Sequence, residues 1–530
     1  METATVSGAA TSVRHGPVRS SVDVLPQAVD VLLVGCGPIG ATIANLLARH
    51  GVHVMVVDKS TKAFMASRAI ALDSEALRIL QLAGIGERDL ETVAIAGTPR
   101  IRLMPKLGQT SEANLLGGID GGSERVTLCQ SELERCLRTR LRRYERAHVA
   151  LGVGLARFTQ DRDRVVATLD LGHGRTHVLC ARYLVGADGA NSLVKALLTG
   201  KTLAKSQPDV DTRVASRRID YVERIGDPRQ TSRYVAVPDQ VCSFESLASL
   251  DDSADATIRR SAVDRFNERS GDGLCEGRVF LAGDAANITY PSLGTELVEG
   301  LRDAANLSWK LAWVIQGRAD SRILDTYEQE RRPREGATIK LTRFIEKLVM
   351  PRNSGIALLP HWLMQLSRVK SRLCTAIDGL QTEPKSALKK GLYVKGRSPT
   401  KLVRGAVIAQ GRIRGSDGKT CLSDDVLGQG LVLLGFGTDA RGSLDRAAAA
   451  AFVRAGGSYV QIARRGLRRH LSRHESWEDL DDAFFARLPL GWAAVVRPDR
   501  TVIHDGPATD ASRLVRESLS LLGQHCWVLH

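Results

Sequence analysis

The chain has 530 residues, enough for about three to four domains of ~150 residues each. Hydrophobic residues make up 43% and charged residues 25%, which is typical of globular proteins and excludes a wholly disordered or fibrous chain. The formal net charge of +15 favours anionic partners, whether nucleic acid, an acidic membrane face, or small acids and phosphorylated cofactors.

Cysteine usage and hydropathy bear on the compartment. The nine cysteines are scattered and form no C-x-x-C, so we predict a reducing, cytoplasmic compartment without a disulfide framework. Cys129 and Cys136 are predicted to be two buried positions on one helix. No apolar run approaches the ~18–20 residues needed to cross a bilayer. The first 28 residues have no apolar signal core and are predicted to be a disordered tail.

The first predicted elements form a strand–turn–helix–strand unit. The aliphatic run VDVLLV, residues 29–34, is typical of a buried parallel strand. The turn GCGPIG follows at once and opens a predicted helix, ATIANLLARH, after which the strand VHVMVV ends in Asp58. This context distinguishes the G-x-G-x-x-G pattern from a chance match.

The residue types in this turn predict a dinucleotide site. Gly35 permits the tight turn, Gly37 lets a pyrophosphate approach the backbone, and Gly40 lets the helix pack closely on the strand. Pro38 lies in the same turn, where the helix N-terminus offers free N–H groups and partial positive charge to phosphates. Asp58 follows by roughly 20 residues, the spacing of a carboxylate that binds a ribose hydroxyl. The motif alone does not distinguish FAD from NAD(P).

Later segments add further predicted elements. Residues 128–144 are predicted to form a basic helix, followed by strands in AHVALGVGLARFTQ, VVATLDL and ARYLVG. The stretch from about 195 to 275 is polar, basic and hard to assign. GRVFLAGDAAN is a strand-to-turn signal, and LRDAANLSWKLAWVIQG predicts a helix with a buried apolar stripe that Gly317 ends. From about 400, alternating strands and helices predict a small C-terminal domain.

These patches together resemble the flavoprotein aromatic hydroxylases, the single-component FAD-dependent monooxygenases. The most similar subgroup is the 3-(3-hydroxyphenyl)propionate hydroxylases. The resemblance extends from about 29 to 335, with a fainter match over 400–520. It is carried by VDVLLVGCGPIGATIANLLARHGVHVMVVDKS, SRAIALDSEALRILQLAGI, LCQSELERCL, ARYLVGADGANSLV, GRVFLAGDAAN and LRDAANLSWKLAWVIQG…LDTYEQERRP.

The resemblance implies an α/β fold with a glutathione-reductase-like FAD-binding domain, an interleaved substrate domain and a C-terminal thioredoxin-like domain. Without a C-x-x-C the last should not perform thiol chemistry; packing or homodimerisation is its expected role. The implied division is a tail (1–28), FAD-binding domain first part (29–190), a shortened substrate segment (191–277), FAD-binding domain second part and helix (278–345), a helical linker (346–399) and the thioredoxin-like domain (400–530).

The resemblance also implies which residues meet the cofactor. Asp284, after Gly283, should hold the ribitol chain of FAD, and Asp188 should lie by the pyrophosphate and the nicotinamide path. Further positions that match cofactor-facing ones are Arg68, Gln130 and Gly294. No catalytic side chain and no metal ligand is identified.

The implied reaction uses FAD, NADH or NADPH, and O2 to hydroxylate a phenolic acid through a flavin C4a-hydroperoxide. A helix beginning near Glu299 would direct its positive end at the reduced flavin. The positive net charge suits a carboxylated substrate. Basic runs such as RCLRTRLRRYERAH lack interleaved aromatics, so we predict solvated helix faces and no nucleic-acid partner.

Three positions depart from the family pattern and leave alternatives open. Asn287 stands in place of a histidine, Glu296 in place of a glycine and Val298 in place of an asparagine. A carboxylate at 296 would oppose negative charge on a reduced flavin. One alternative is therefore a flavin-binding family member with impaired or lost hydroxylase activity that acts as a binding or scaffold protein. A plain NAD(P) dehydrogenase is another, although it leaves GDAAN unexplained.

Overall fold

The computed structural model describes residues 25–61, 69–93, 126–200, 217–223, 233–238, 241–245, 260–264, 273–286, 296–332, 387–396, 398–467, 476–485 and 488–524. The predicted site residues Arg68 and Gly294, the departure at Asn287, residues 1–24 of the predicted tail and residues 346–386 of the predicted linker lie outside these ranges.

An eight-stranded sheet with a parallel centre holds the N-terminal unit together. Its strands are β1 (Ala28–Val34), β2 (Val54–Asp58), β5 (Ala147–Leu151), β6 (Gly154–Gln160), β7 (Val165–Asp170), β8 (Thr176–Gly186), β13 (Cys275–Glu276) and β14 (Val279–Leu281). The main path is β13-β14-β8-β1-β2-β5, and β6 and β7 extend it antiparallel from β8. Because β1 is covered on both faces, Leu32 and Leu33 are both fully buried. The predicted first strand is confirmed and begins one residue earlier.

Helices and a small ladder surround this sheet. The strands are β3 (Ala69–Leu72) and β4 (Val126–Cys129), and the helices are α1 (Pro38–Arg49), α2 (Ser74–Leu82), α3 (Glu87–Val93), α4 (Gln130–Leu141) and α5 (Leu193–Thr199). The start predicted for the basic helix was wrong, because residues 126–129 pair antiparallel with β3 and the helix begins at Gln130. Cys129 and Cys136 therefore do not share a helix. On α1, Asn45 Nδ2 donates to the Leu137 carbonyl (3.0 Å) and so fastens α4 to it.

A second sheet occupies the stretch that the sequence left unassigned. Its strands are β9 (Arg217–Glu223), β10 (Arg233–Pro238), β11 (Val241–Glu245) and β12 (Arg260–Asp264). Their order is β10-β9-β11-β12, with β9 and β11 parallel and the other two pairs antiparallel. The segment that was predicted to be shortened thus contains a four-stranded sheet, whose strands are five to seven residues long.

The long helix α6 (Glu296–Ile315) runs through the core. Its predicted apolar stripe is confirmed at Leu301, Ala304, Leu307 and Leu311, each fully buried, whereas Ala305 and Val314 are partly buried. The helix begins at Glu296, earlier than the start predicted near Glu299. None of the described helices combines the length and apolarity needed to cross a bilayer.

The C-terminal unit is built on a seven-stranded sheet. Its strands are β15 (Arg412–Arg414), β16 (Thr420–Leu422), β17 (Val432–Phe436), β18 (Ser458–Ala463), β19 (Ser476–Asp479), β20 (Trp492–Val496) and β21 (Val502–Pro507), and its helices are α7 (Ser423–Leu427), α8 (Arg446–Arg454) and α9 (Ala511–Leu521). The order is β16-β15-β19-β18-β17-β20-β21. Strands β17 and β18 run parallel, and β20 and β21 continue the sheet antiparallel. The predicted α/β alternation is confirmed.

Candidate cofactor site

Two glycines of the first turn are required by the fold itself. Gly35 has φ +102°, and a Cβ there would lie 2.3 Å from the Ala187 carbonyl oxygen. A Cβ on Gly40 would lie 2.0 Å from the carbonyl oxygen of Gly35. Both distances are far below contact, so the close packing of α1 on β1 and β8 depends on glycine at both positions.

Gly37 is different because the fold does not demand a glycine there. Its φ of −71° and ψ of −173° are open to any residue, and a Cβ would meet nothing within 4 Å. Gly37 is the N-cap of α1, whose first turn carries Pro38 at its start and no acidic residue. Open space therefore lies at the positive end of a helix, which fits an approaching phosphate.

Asp58 lies beside the same turn at the end of β2. Its Oδ2 accepts the backbone N–H of Cys36 (2.7 Å), and its Oδ1 accepts that of Ser60 (2.8 Å). Arg138 on α4 supports the arrangement, donating Nε to the Cys36 carbonyl (2.8 Å) and lying 3.7 Å from Asp58 Oδ2. A carboxylate has about four acceptor sites, so Asp58 retains capacity for ribose hydroxyls.

The thiol inside the turn is chemically quiet. Cys36 is fully buried, and burial raises the pKa of its thiol to about 12 despite the opposing charge of Arg138. Because only the thiolate is a good nucleophile, this cysteine acts as a small apolar residue that fills the turn.

Asp188 lies against the turn through its backbone, while its carboxylate points to α5. A Cβ on Gly35 would come within 2.9 Å of the Asp188 Cα. Asp188 Oδ1 accepts the hydroxyl of Ser192 (2.5 Å), and Oδ2 accepts the backbone N–H groups of Leu193 (2.7 Å) and Val194 (3.2 Å). Burial raises the pKa of this carboxyl, and these hydrogen bonds oppose the shift. The observed role of the side chain is thus to order the start of α5.

The Gly283–Asp284 loop meets the turn from the other side. Residues Gly283–Ala285 form a short 3-10 helix, in which Gly283 has φ +62° and Asp284 is exposed. Cβ atoms on Gly283 and Gly300 would lie 3.1 and 2.7 Å from the Ile39 side chain. The first turn, this loop and the start of α6 therefore converge around Ile39.

Three further positions from the sequence analysis lie in the first turns of helices α4 and α6. Gln130 is the first residue of α4, half-buried, on the helix that packs beside α1. Glu296 is the first residue of α6, and Val298 is buried with 5% exposure. Sequence reasoning missed Arg138 and Asp303, because each acts on a backbone group distant along the chain and has no motif of its own.

Comparisons with known proteins identify the family. The family model described as "FAD binding domain" matches residues 28–222 and 245–342, more than half of the chain. A second, described as "HcaD C-terminal domain", matches residues 405–521. The chain belongs to the flavoprotein aromatic hydroxylases: it is an FAD-dependent monooxygenase with NAD(P)H as co-substrate. This family assignment decides against a plain NAD(P) dehydrogenase.

Among curated relatives, the chain is 31% identical over 511 residues to the 3-(3-hydroxy-phenyl)propionate/3-hydroxycinnamic acid hydroxylase of Burkholderia cenocepacia, covering 89% of this chain and 93% of the relative. It is 30% identical over 509 residues to the corresponding hydroxylase 2 of Burkholderia vietnamiensis, covering 89% and 92%.

Solved structures show the same fold. Aklavinone-11 hydroxylase, in a ternary complex with FAD and aklavinone, has a TM-score of 0.64 at 21% identity, covering 94% of this chain and 99% of that one. The anhydrotetracycline hydroxylase OxyS of Streptomyces rimosus has a TM-score of 0.64 at 22% identity, covering 94% and 100%.

Proposed function

We propose that this enzyme hydroxylates a phenolic acid of the 3-(3-hydroxyphenyl)propionate type, using NAD(P)H and O2. The observation that carries the substrate class is the 30–31% identity to hydroxylases of that name along 89% of the chain. The net charge of +15 supports a carboxylated substrate, because a positive protein attracts small anions.

Residues of the first turn and its neighbours fit FAD. We infer that the α1 N-terminus at Gly37 and Pro38 holds the pyrophosphate, and that Asp58 binds the adenosine ribose. Asp284 would hold the ribitol chain, with Arg68, Gln130, Asp188 and Gly294 as further contacts that the family resemblance implies. When bound, FAD supplies the redox chemistry that activates O2. The protein binds it, orients it and excludes water.

We also propose a domain division that follows the sequence boundaries. Residues 29–190 and 278–345 form the FAD-binding domain, 191–277 the substrate segment, and 400–530 a thioredoxin-like domain. The β17–α8–β18 parallel unit followed by antiparallel β20 and β21 and by α9 supports the last assignment. Cys36, Cys129, Cys136, Cys180, Cys275 and Cys421 are free thiols, which supports a cytoplasmic location.

The test is product formation by the FAD-loaded protein. With 3-(3-hydroxyphenyl)propionate we expect NAD(P)H consumption, oxygen uptake and a catechol product identified by mass spectrometry. The matched alcohol, 3-(3-hydroxyphenyl)propanol, keeps the phenol but lacks the carboxylate. Its kcat/KM should be lower by about ten- to a hundredfold, the weight of one charge-assisted hydrogen bond.

Two results would contradict the proposal. Equal kcat/KM for acid and alcohol would rule out carboxylate recognition. FAD that dithionite reduces, but that NAD(P)H with phenolic acids never reduces, would instead support a flavin-binding member with lost turnover. The departures at Glu296 and Val298 make this second outcome the relevant alternative.

A further inference from the structure

A buried carboxylate lies directly beneath the Gly283–Asp284 loop. Asp303 on α6 is 3% exposed, and its Oδ2 accepts the backbone N–H of Gly283 (3.0 Å). Its Oδ1 accepts Nε of Arg331 (2.5 Å), which comes from the 326–332 helical segment. The two oxygens of one carboxylate thus join the loop to a fixed cation.

Arg331 is itself held in place by Glu299. Its Nη2 donates to Oε2 (2.7 Å) and to the backbone carbonyl (3.0 Å) of Glu299, in the first turn of α6. Glu299 Oε1 accepts Nη1 of Arg302 (2.6 Å), and Arg302 Nη2 reaches Glu75 on α2 (2.7 Å). Asp303 is therefore the end of a chain of charge pairs whose geometry is fixed from several sides.

The loop needs such an anchor because of its own sequence. Gly283 sits at φ +62°, a conformation that glycine adopts readily but does not prefer strongly. A rotation of the Gly283 backbone dihedrals would change the direction of the next side chain, that of Asp284. A second hold on the same strand end comes from Tyr327, whose hydroxyl donates to the Leu281 carbonyl (2.8 Å).

We propose that Asp303, fixed by Arg331, is a positioning residue for the cofactor: it holds the Gly283 N–H and thereby sets the direction in which Asp284 meets the ribitol chain of FAD. This inference rests on the proposed role of Asp284. Asp303 is buried beneath the loop, so its effect on FAD passes through the backbone of the loop.

The test compares Asp303→Asn with the matched variant Asp424→Asn. Both carboxylates are buried and paired with arginine, but Asp424 pairs with Arg78 and Arg500 in the C-terminal unit and lies outside the loop. An amide at 303 sets a donor against Arg331 or against the Gly283 N–H, so one bond is lost. We expect the Kd for FAD to rise by about tenfold or more, as for a lost hydrogen bond to a charged group, and the visible flavin spectrum to shift.

A second measurement needs no cofactor. Hydrogen exchange of the 279–286 peptide in FAD-free protein should be slow in the wild type, faster in Asp303→Asn and unchanged in Asp424→Asn. Arg331→Lys keeps the positive charge but loses the two-point contact. Its exchange rate should lie between those of the wild type and Asp303→Asn, and this variant replaces Asp303→Asn if the latter does not fold.

Three results would overturn the inference. They are fast hydrogen exchange at Gly283 in the wild type, an FAD Kd for Asp303→Asn within about twofold of the wild type, or a rise in the FAD Kd of Asp424→Asn equal to that of Asp303→Asn. If the wild type does not bind FAD at all, the proposed function fails instead, and the exchange experiment still decides whether Asp303 orders the loop.

Discussion

The three glycines of the first turn are glycines for different physical reasons. At Gly35 and Gly40 a Cβ would collide with backbone oxygens at 2.3 and 2.0 Å, so the fold itself demands them. At Gly37 the backbone is extended and the space is open within 4 Å. The fold therefore does not require a glycine at position 37, and a substitution there tests the proposed cofactor contact separately from folding.

This difference predicts opposite outcomes for one substitution at two positions. Gly37→Ala should lower the free energy of unfolding by at most about 1 kcal/mol, the difference between N-cap residues. Its Kd for FAD should rise by about tenfold or more, because the methyl group would lie where we propose that the pyrophosphate binds. Gly40→Ala should instead cost about 1–3 kcal/mol or more through overpacking. Urea denaturation and FAD titration measure the two quantities; a stable Gly40→Ala protein would contradict the close packing.

At the scale of elements, α6 and the 326–332 segment are joined by a buried charge cluster. Glu330 is fully buried and accepts hydrogen bonds from Lys310 on α6 (2.9 Å) and from Arg497 (2.8 and 3.0 Å). Burial raises the pKa of Glu330, but Arg497 and Lys310 outweigh it and hold that pKa well below its usual range. Glu330 is therefore charged throughout the neutral range.

This cluster predicts a defined pH dependence for Glu330→Gln. Because the pKa is depressed in the folded state, the stabilisation is fully present above the unfolded value of about 4.3 and is lost as pH falls below it. The variant should be less stable by about 3–5 kcal/mol at pH 7, since the buried Lys310 loses its paired carboxylate and Arg497 keeps only Asp499. The difference should be the same at pH 5 and shrink below about pH 4. Urea denaturation measures it, with the exposed Glu132→Gln as control.

At the scale of the whole molecule, buried ion pairs fasten the C-terminal unit to the N-terminal one. Arg78 on α2 donates Nε and Nη2 to Asp424 (2.8 Å each) and Nη1 to the Ile408 carbonyl (2.7 Å). Arg497, after β20, reaches Glu330 beneath α6. Neighbouring residues of the 326–332 segment thus have different partners: Glu330 pairs with Arg497 of the C-terminal unit, and Arg331 pairs with Asp303 beneath the Gly283–Asp284 loop.

Arg78→Lys tests this attachment. A lysine ammonium lacks the planar fork of a guanidinium and cannot reproduce the bidentate contact with Asp424 together with the bond to the Ile408 carbonyl, so the change is not conservative. We expect a loss of about 2–3 kcal/mol in the free energy of unfolding and faster hydrogen exchange over residues 420–427, with the exchange of β1 and β2 unchanged. The matched control is Arg135→Lys, in an exposed pair with Glu132, which should cost less than about 1 kcal/mol. Equal effects of the two variants would show that the interface pair adds nothing.

Elements whose signals are local could be predicted from the amino-acid sequence. The first β–turn–α–β unit, with its turn at Gly35–Gly40 and Asp58, is local because a glycine turn and an aliphatic strand depend on adjacent residues. The buried stripe of α6 is local for the same reason, since it depends on helical spacing. The family resemblance extended these local signals to the cofactor and to Asp284.

Contacts between groups far apart along the chain became visible only in the folded structure. Asp58 accepts the Cys36 N–H, Asp188 caps α5, and Asp303 pairs with Arg331. Neighbouring residues in the sequence do not predict these contacts, because the partners come together only when the chain packs and excludes water. The β9–β12 sheet was missed because its strands are only five to seven residues long and lie within a polar, basic stretch, so the local signal is short. Gly37 illustrates the difference: the glycine motif predicted the position from the sequence, and the structure shows that the space around it is open within 4 Å.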